Sequence, residues 1–338
     1  MTDEKKKVPE LRFPEFSGEW IKKELGSEVT FYSGLTYKPD DINEEGILVL
    51  RSSNIKNGKI IDADNVFVDS NKINSTFVNE GDVIVVVRNG SKKLIGKHAR
   101  VNNKHLCAVI GAFMTGIRCY NSKFINSLLD TSNFYKEIHK NLGATINQIT
   151  TGNFRKMKFY FPNDKEQQKI GEFFSKLDRQ IELEEQKLEK LEELKKGYMQ
   201  KIFSQELRFK DENGNDYPEW EEKLLSEIGD IVTGNTPSKK VEEYWESNDY
   251  IWVTPKDITN TKNIKNSFEK LSSKGFEKAR KLPKNTLLVT CIASIGKNAI
   301  LKKEGSCNQQ INAVIPFSNS DIDYIYYAFD DLSKLMKK

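Results

Sequence analysis

Histidine and cysteine are scarce, with three and four residues respectively in a chain of 338. Cys107, Cys119, Cys291 and Cys307 stand far apart with no Cys-x-x-Cys spacing, which argues against both a disulfide framework and a zinc site and leaves reduced, partly buried thiols. His98, His105 and His139 share no ligand spacing with one another or with a carboxylate cluster, so the expected metal inventory is none. His98 is a candidate for a phosphate contact, although an ordinary half-buried histidine is the blander reading. Long apolar runs are missing too. Nothing approaches the roughly 18 consecutive apolar residues that a membrane span requires, and no apolar run follows the charged opening Met1-Thr2-Asp3-Glu4-Lys5-Lys6-Lys7. A cytosolic chain without membrane contact is expected. Neither a Gly-x-Gly-x-x-Gly turn nor a Gly-x-x-x-x-Gly-Lys-Ser/Thr loop occurs, which excludes the usual dinucleotide and nucleotide-phosphate cradles.

What the chain does contain is a long helical signal. Residues 165–204 read as one unbroken helix, roughly 60 Å long at about 1.5 Å per residue. A heptad counted from Phe174 puts Phe174, Leu177, Ile181, Leu188, Leu191, Tyr198 and Ile202 at a and d positions, interrupted by Glu184 and Lys195. So narrow an apolar stripe buries itself against another helix, which predicts a coiled-coil spacer. Net charge is +4, too small to name a partner, but it is unevenly spread. Residues 1–160 hold 24 basic and 18 acidic side chains, 161–206 hold 9 and 11, and 207–338 hold 20 and 20. Between Asp82 and Lys104 the basic residues Arg88, Lys92, Lys93, Lys97, Arg100 and Lys104 face a single acid. Lys274 to Lys303 repeats that imbalance, with Glu277 as its one acid.

The chain also repeats itself. Glu10-Leu11-Arg12-Phe13 returns as Glu206-Leu207-Arg208-Phe209, and Glu19-Trp20 as Glu219-Trp220. Gly34 matches Gly234, Ile95-Gly96-Lys97 matches Ile295-Gly296-Lys297, and Cys107 matches Cys307, all 200 positions apart. One long period means duplicated domains rather than a solenoid. Each copy shows short β-rich runs such as 47–50, 83–87 and 286–290, broken by Gly, Asn and Asp, with helices expected at 122–140 and 322–337. The predicted fold is α+β: two similar bodies, each a twisted, mostly antiparallel sheet with few helices, joined by the long helix. The boundaries fall at 1–160, 161–206 and 207–338. Pro162-Asn163-Asp164 caps the helix, and Trp20 and Trp220 are expected at its junctions with the two bodies. The second copy stops where the counterpart of Asn141 would begin. The second long helix is therefore missing from this chain, and the stripe is expected to pair either within the chain of a longer natural protein or with a helix of another chain.

The run Pro162-Asn163-Asp164-Lys165-Glu166-Gln167-Gln168-Lys169-Ile170-Gly171-Glu172-Phe173-Phe174-Ser175-Lys176-Leu177-Asp178 resembles the central conserved region of the specificity (S) subunits of type I restriction-modification enzymes. Gly143-Ala144-Thr145 agrees with it. In the second copy Gly234-Asn235-Thr236-Pro237-Ser238, Tyr244-Trp245, Trp252-Val253-Thr254-Pro255-Lys256-Asp257-Ile258, Ile295-Gly296-Lys297 and Asn308-Gln309-Gln310 resemble that family's target-recognition domain. The first copy lacks Thr-Pro-Ser after Gly34 and Asn-Gln-Gln after Cys107. The resemblance implies a chain that reads double-stranded DNA and does no chemistry. Each domain would read half of a bipartite target while the helices set the spacing. Methyltransferase (M) subunits would bring S-adenosylmethionine, and restriction (R) subunits ATP and Mg. In keeping with that division, no Asn-Pro-Pro-Phe-like adenine methylation motif is present. Two alternatives stand beside it, a coiled-coil scaffold with protein-binding lobes and, less favoured, a stand-alone nuclease.

For DNA contact the candidates are turns after buried strands, where glycine permits close approach, Lys and Arg neutralise phosphate, and Arg or Asn can reach base edges. In the first copy these are Arg88, Asn89, Ser91, Lys92, Lys93 and Lys97, together with Arg51, Ser52 and Asn54. In the second they are Ser294 and Lys297, aligned by spacing with the Arg88–Lys93 turn, together with Lys256, Thr236, Ser238, Lys239 and Lys240. Gln309 and Gln310 read equally well as sheet-bonding residues. Tyr244, Trp245 and Trp252 read as core rather than base-stacking platforms.

Overall fold

A computed structural model of the chain describes residues 8–142, 147–259, 261–292 and 295–335. Two compact units divide it, Met1–Lys187 and Leu188–Lys338, and helix α5 (Asp164–Phe203) contributes residues to both.

In the first unit the chain runs through β1 (Ile21–Glu24), α1 (Leu25–Glu28), β2 (Thr30–Ser33), β3 (Ile42–Leu50), the hairpin β4 (Ile55–Lys56) and β5 (Lys59–Ile60), and β6 (Val66–Val68). It continues with β7 (Val83–Val86), β8 (His98–Arg100), β9 (Val109–Ile110), β10 (Met114–Arg118), α2 (Ser122–Leu129), α3 (Ser132–Asn141), α4 (Thr151–Lys156) and β11 (Lys158–Phe161). One sheet has the order β2-β10-β7-β8 and another β6-β3-β9. All four residues of β7 are buried, as a central strand covered on both faces requires. The core gathers around Phe134, whose ring lies 5.6–6.4 Å from those of Tyr135, Phe154, His98 and Phe159. The helix expected over 122–140 is two helices. Thr131 breaks it, because its hydroxyl accepts the Phe134 N–H at 3.3 Å and caps a new helix instead of continuing the old one.

The second unit has β12 (Gly229–Thr233), β13 (Tyr250–Val253), β14 (Asn263–Ile264), β15 (Glu269–Leu271), α6 (Ser273–Lys278), β16 (Thr286–Thr290), β17 (Asn298–Leu301), β18 (Gly305–Cys307), β19 (Ile311–Pro316) and α7 (Ile322–Leu335). Its sheets, β12-β19-β16-β17-β14 and β15-β13-β18, repeat the two orders of the first unit with one strand added. The repetition reaches strand direction. In both units the small sheet pairs its central strand with one parallel and one antiparallel neighbour: β3 with β9 and β6, β13 with β18 and β15. Ten of the thirteen pairings among the described residues are antiparallel, so the mostly antiparallel expectation holds.

Register corrects one landmark of the repeat. Leu50 faces Ile110 and Val253 faces Cys307 at equivalent places in the small sheets, so the counterpart of Cys307 is Ile110. Cys107 lies three residues earlier in an exposed turn, and its match at 200 positions is coincidental. The segment occupying the place of Asn308-Gln309-Gln310 is thus Gly111-Ala112-Phe113. Gly34 and Gly234 hold true. A Cβ on either would come within 2.1 Å of the Gly111 carbonyl oxygen or 2.3 Å of the Asn308 one, so both copies need glycine for the same close crossing.

Helix α5 is 40 residues long. Asn163 caps it, its side-chain oxygen accepting the Glu166 N–H at 3.0 Å, and Asp164 and Glu166 sit in the first turn where the helix dipole favours acids. The Trp20 indole donates to Glu166 at 3.2 Å. At the other end Phe203 packs against Trp220 and Tyr324, with ring centroids 6.1 and 6.0 Å away. Both tryptophans lie at helix ends, as expected. Of the stripe, Phe174, Leu177, Ile181, Leu188, Leu191 and Tyr198 are 44–57% exposed and Ile202 is half-buried, so among the described residues no helix covers that seam.

Candidate nucleic-acid interface

In the first unit two loops meet. The 3-10 turn after β3 carries Arg51, Ser52 and Asn54, and the loop between β7 and β8 carries Arg88 to Lys97. Asn89 donates its amide to the Ser52 hydroxyl at 3.1 Å, and the Lys97 ammonium reaches the Ser52 carbonyl at 3.2 Å. Partial burial holds the Lys97 ammonium below the usual lysine range. Asn147 and Gln148 brace the outer loop through an Asn147 bond to the Gly90 carbonyl at 2.9 Å and a bridge from Gln148 to Arg88. Arg88, Ser91, Lys92 and Lys93 project at the surface, and neither lysine has an acidic partner among the described residues. Arg51 spends its guanidinium on Asp64, 2.7 Å away.

Asn54 has to be corrected. It is fully buried, accepting the Arg51 N–H at 2.9 Å and donating to Ala63 and Asn65 at 2.8 Å each. Its job is to close the turn that presents Ser52 and Ser53, and nothing of it is left for a base. His98 is buried as well, with Nδ1 2.9 Å from the Gly96 carbonyl and Nε2 3.3 Å from Asp130, so the phosphate reading is withdrawn. A residue that spacing missed is Phe113. It is exposed, the Arg88 guanidinium lies 4.9 Å over its ring, and it borders a cleft with Tyr37, Arg51 and Ser52. Only strand register reveals it, by putting Phe113 where the second unit has Gln310.

The second unit presents a related but differently charged surface. Thr254 N–H donates to Asp257 at 2.8 Å, as Arg51 N–H does to Asn54, which sets the exposed Lys256 at the position of half-buried Ser53. Lys240, Lys256 and Lys297 are exposed and unpaired among the described residues. Thr236 donates to Gln309 at 2.5 Å, so Gln309 is engaged within this loop cluster rather than in the sheet. The Gln310 N–H donates to the Asn308 side-chain oxygen at 3.1 Å. Ser238 is exposed, and its carbonyl accepts from the Trp245 indole at 3.3 Å. Lys239 is committed within the fold by an ion pair to Glu269 and by lying 4.1 and 5.0 Å over the Trp245 and Trp252 rings. Trp252 is buried and packs with Leu271 and Phe276, the core role expected. Ser294 lies outside the described residues, as does Gly143-Ala144-Thr145.

Backbone bonds also revise the alignment of the two turns. The Val86 N–H donates to the Lys97 carbonyl and the Gly96 N–H to the Val86 carbonyl, as Thr290 does to Lys297 and Gly296 to Thr290. The first loop therefore has nine residues, 87–95, where the second has five, 291–295. Arg88 corresponds to Ile292, which is exposed, and the first loop's lysines have no counterpart in the shorter one. The conserved member of the pair is Lys97 with Lys297.

Among the described residues no group of three His, Cys, Asp or Glu side chains could hold a metal ion, and no helix is long and apolar enough to cross a membrane. A family profile described as the type I restriction modification DNA specificity domain matches residues 17–193 and 217–338, one match per copy. The chain belongs to this family. Among curated specificity-domain relatives, the type I restriction enzyme MjaIX specificity subunit of Methanocaldococcus jannaschii is 35% identical over 132 residues, covering 38% of this chain and 30% of that one. The StySPI specificity subunit of Salmonella potsdam is 28% identical over 196 residues, 55% of this chain and 42% of that one. The EcoKI specificity subunit of Escherichia coli K12 is 27% identical over 192 residues, 54% and 41%. The matches thus span less than half the length of these relatives. A crystal structure of a type I restriction-modification S subunit from M. genitalium shares the fold with a TM-score of 0.58 at 17% identity, covering 94% of this chain and 78% of that one. A chain from a study of type I restriction-modification complex assembly gives 0.54 at 15% identity, with 94% and 81% covered.

Proposed function

We propose that this chain is the DNA-reading subunit of a type I restriction-modification complex and carries no catalysis of its own. Two target-recognition domains, 1–160 and 207–338, each read one half of a bipartite double-stranded target, and the helical region 161–206 sets the distance between the halves. The observation that carries the reading is the duplication itself. Two units of one topology present loops from equivalent strand ends, with a lysine kept at 97 and 297 while the neighbouring residues differ. Conserved scaffold with divergent loops suits two heads that read different base sequences in a cytoplasmic complex. Lys92, Lys93, Lys97, Lys240, Lys256 and Lys297 would hold phosphates. Arg88, Asn89, Ser52, Ser91, Thr236 and Ser238 would stand nearer base edges. Methyltransferase subunits carrying S-adenosylmethionine would methylate adenine at the site, and restriction subunits with ATP and Mg would cut unmethylated DNA. Both would assemble around the helical region, whose uncovered stripe suits a helical partner.

Footprinting on a randomised duplex pool tests this. Protection of two short sequences at one fixed separation is expected, in the presence of the methyltransferase subunits. Lobes that bind protein instead would protect no sequence.

A further inference from the structure

The two units share one backbone joint at the mouth of the β7–β8 and β16–β17 loops and hang different chemistry on it. In the first unit the Val87 and Arg88 N–H groups donate to the Phe113 carbonyl at 3.0 and 3.2 Å, and in the second the Cys291 N–H donates to the Gln310 carbonyl at 2.9 Å. Arg88 therefore stands where Ile292 does, and Phe113 where Gln310 does. Phe113 and Ile292 are each 52% exposed, Arg88 is exposed, and Gln310 is half-buried.

Each unit stiffens one of its two side chains, by different means. The Arg88 guanidinium lies 4.9 Å from the Phe113 ring centroid, and among the described residues no acid pairs with it. A planar guanidinium stacked on a ring keeps the N–H donors along its edge free. In the second unit buried Asn308 donates its amide to Gln310 Oε1 at 3.2 Å and accepts the Gln310 N–H at 3.1 Å. That clasp fixes the carboxamide and leaves Nε2 without a partner among the described residues. Gly111 takes the place of Asn308 in the first unit, where apolar Phe113 needs no clasp.

A side chain that only neutralises phosphate carries no sequence information, so two heads reading different bases have no reason to exchange it. Lys97 and Lys297 keep their charge accordingly. The pair Arg88 and Phe113 becomes Ile292 and Gln310.

We propose that these paired positions determine base specificity, with Arg88 reading a guanine in one half of the target and Gln310 an adenine in the other. The inference deepens the DNA-reading function proposed above and rests on it. Arg88 donates two N–H groups to guanine O6 and N7, and Phe113 is a positioning residue that sets the plane of the fork. Gln310 accepts from adenine N6 and donates to N7, while Ile292 packs against a thymine methyl.

The test uses the chain in complex with methyltransferase subunits and reads base preference at every position by selection from a randomised duplex pool, with the salt slope measured on the recovered sequence. R88A should lower the preference for one guanine in one half by about tenfold or more, the size that a bidentate contact carries, and leave the salt slope unchanged. Phe113→Ala should lower the same preference less, and Phe113→Tyr, which keeps the stacking ring, should restore it. Gln310→Ala should lower the preference for one adenine in the other half only. An R88A complex that binds all sequences more weakly and loses about one unit of salt slope would make Arg88 a phosphate holder and overturn the proposal. So would preferences that neither R88A nor Gln310→Ala moves, or losses at other bases. Should the unsubstituted complex enrich no sequence, the DNA-reading function itself would fall and this inference with it.

Discussion

Lys92 and Lys93 project from the longer first-unit loop with no acidic partner among the described residues, so the phosphate reading makes a numerical prediction for the double variant K92A/K93A. Each neutralised phosphate contributes a slope of about −0.9 to log K against log salt, so the variant should lose about 1.8 units of slope. From a 1 M reference to 0.15 M salt each contact is worth roughly a factor of 5, and the pair therefore costs roughly 30-fold in affinity at 0.15 M while the two titrations converge near 1 M. Fluorescence anisotropy on a duplex carrying the target, between 0.05 and 0.3 M salt, reads both quantities. Base preference should not move, since phosphate contacts position without specifying. An unchanged slope would remove this loop from the interface, and a changed base preference would mean that the lysines reach base edges. K239A is the internal control, and its slope should change less because Lys239 is already paired with Glu269.

Asn54→Ala should leave that salt slope unchanged and instead destabilise the fold by roughly 1–3 kcal/mol in urea unfolding, because it strands the Arg51 N–H and the Ala63 carbonyl in a buried turn. Gly34→Ala and Gly234→Ala should each cost roughly 1–3 kcal/mol or more by the same measurement, since the added carbon overlaps backbone that has no room to give; a silent substitution in either copy would break the equivalence of the two crossings. Burial pushes the Cys307 thiol up to about 12, so it stays protonated at pH 8, and a thiol reagent should modify exposed Cys107 quickly and Cys307 only on unfolding. Mass spectrometry of the labelled chain checks the order, and early labelling of Cys307 would contradict its burial.

The long helix and the duplication were legible because each is carried by periodicity or by motifs that the chain writes twice. The heptad from Phe174 and the Asn163 cap announce α5 without any tertiary contact. Contacts that depend on register were not legible. Spacing alone paired Cys107 with Cys307, because Gly96 and Gly296 keep the 200-residue offset while the segment from there to the small sheet is three residues longer in the first copy. It also aligned Arg88 with a turn that is four residues shorter. Asn54 read as a base-reading amide because asparagine serves equally well in a turn and in a groove, and only its full burial separates the two. Phe113 has no motif at all. Its exposure beside Arg88 exists because β9 lies parallel to β3, a long-range pairing that no local pattern encodes.

Replacing residues 1–160 with the corresponding domain of another family member, and mapping methylated adenines in cells that carry the hybrid, tests the central claim most directly. The account predicts that one half of a bipartite site changes while the other half and the separation stay as they were. A hybrid that leaves both halves unchanged, or alters both together, would contradict two independent reading heads on one helical spacer.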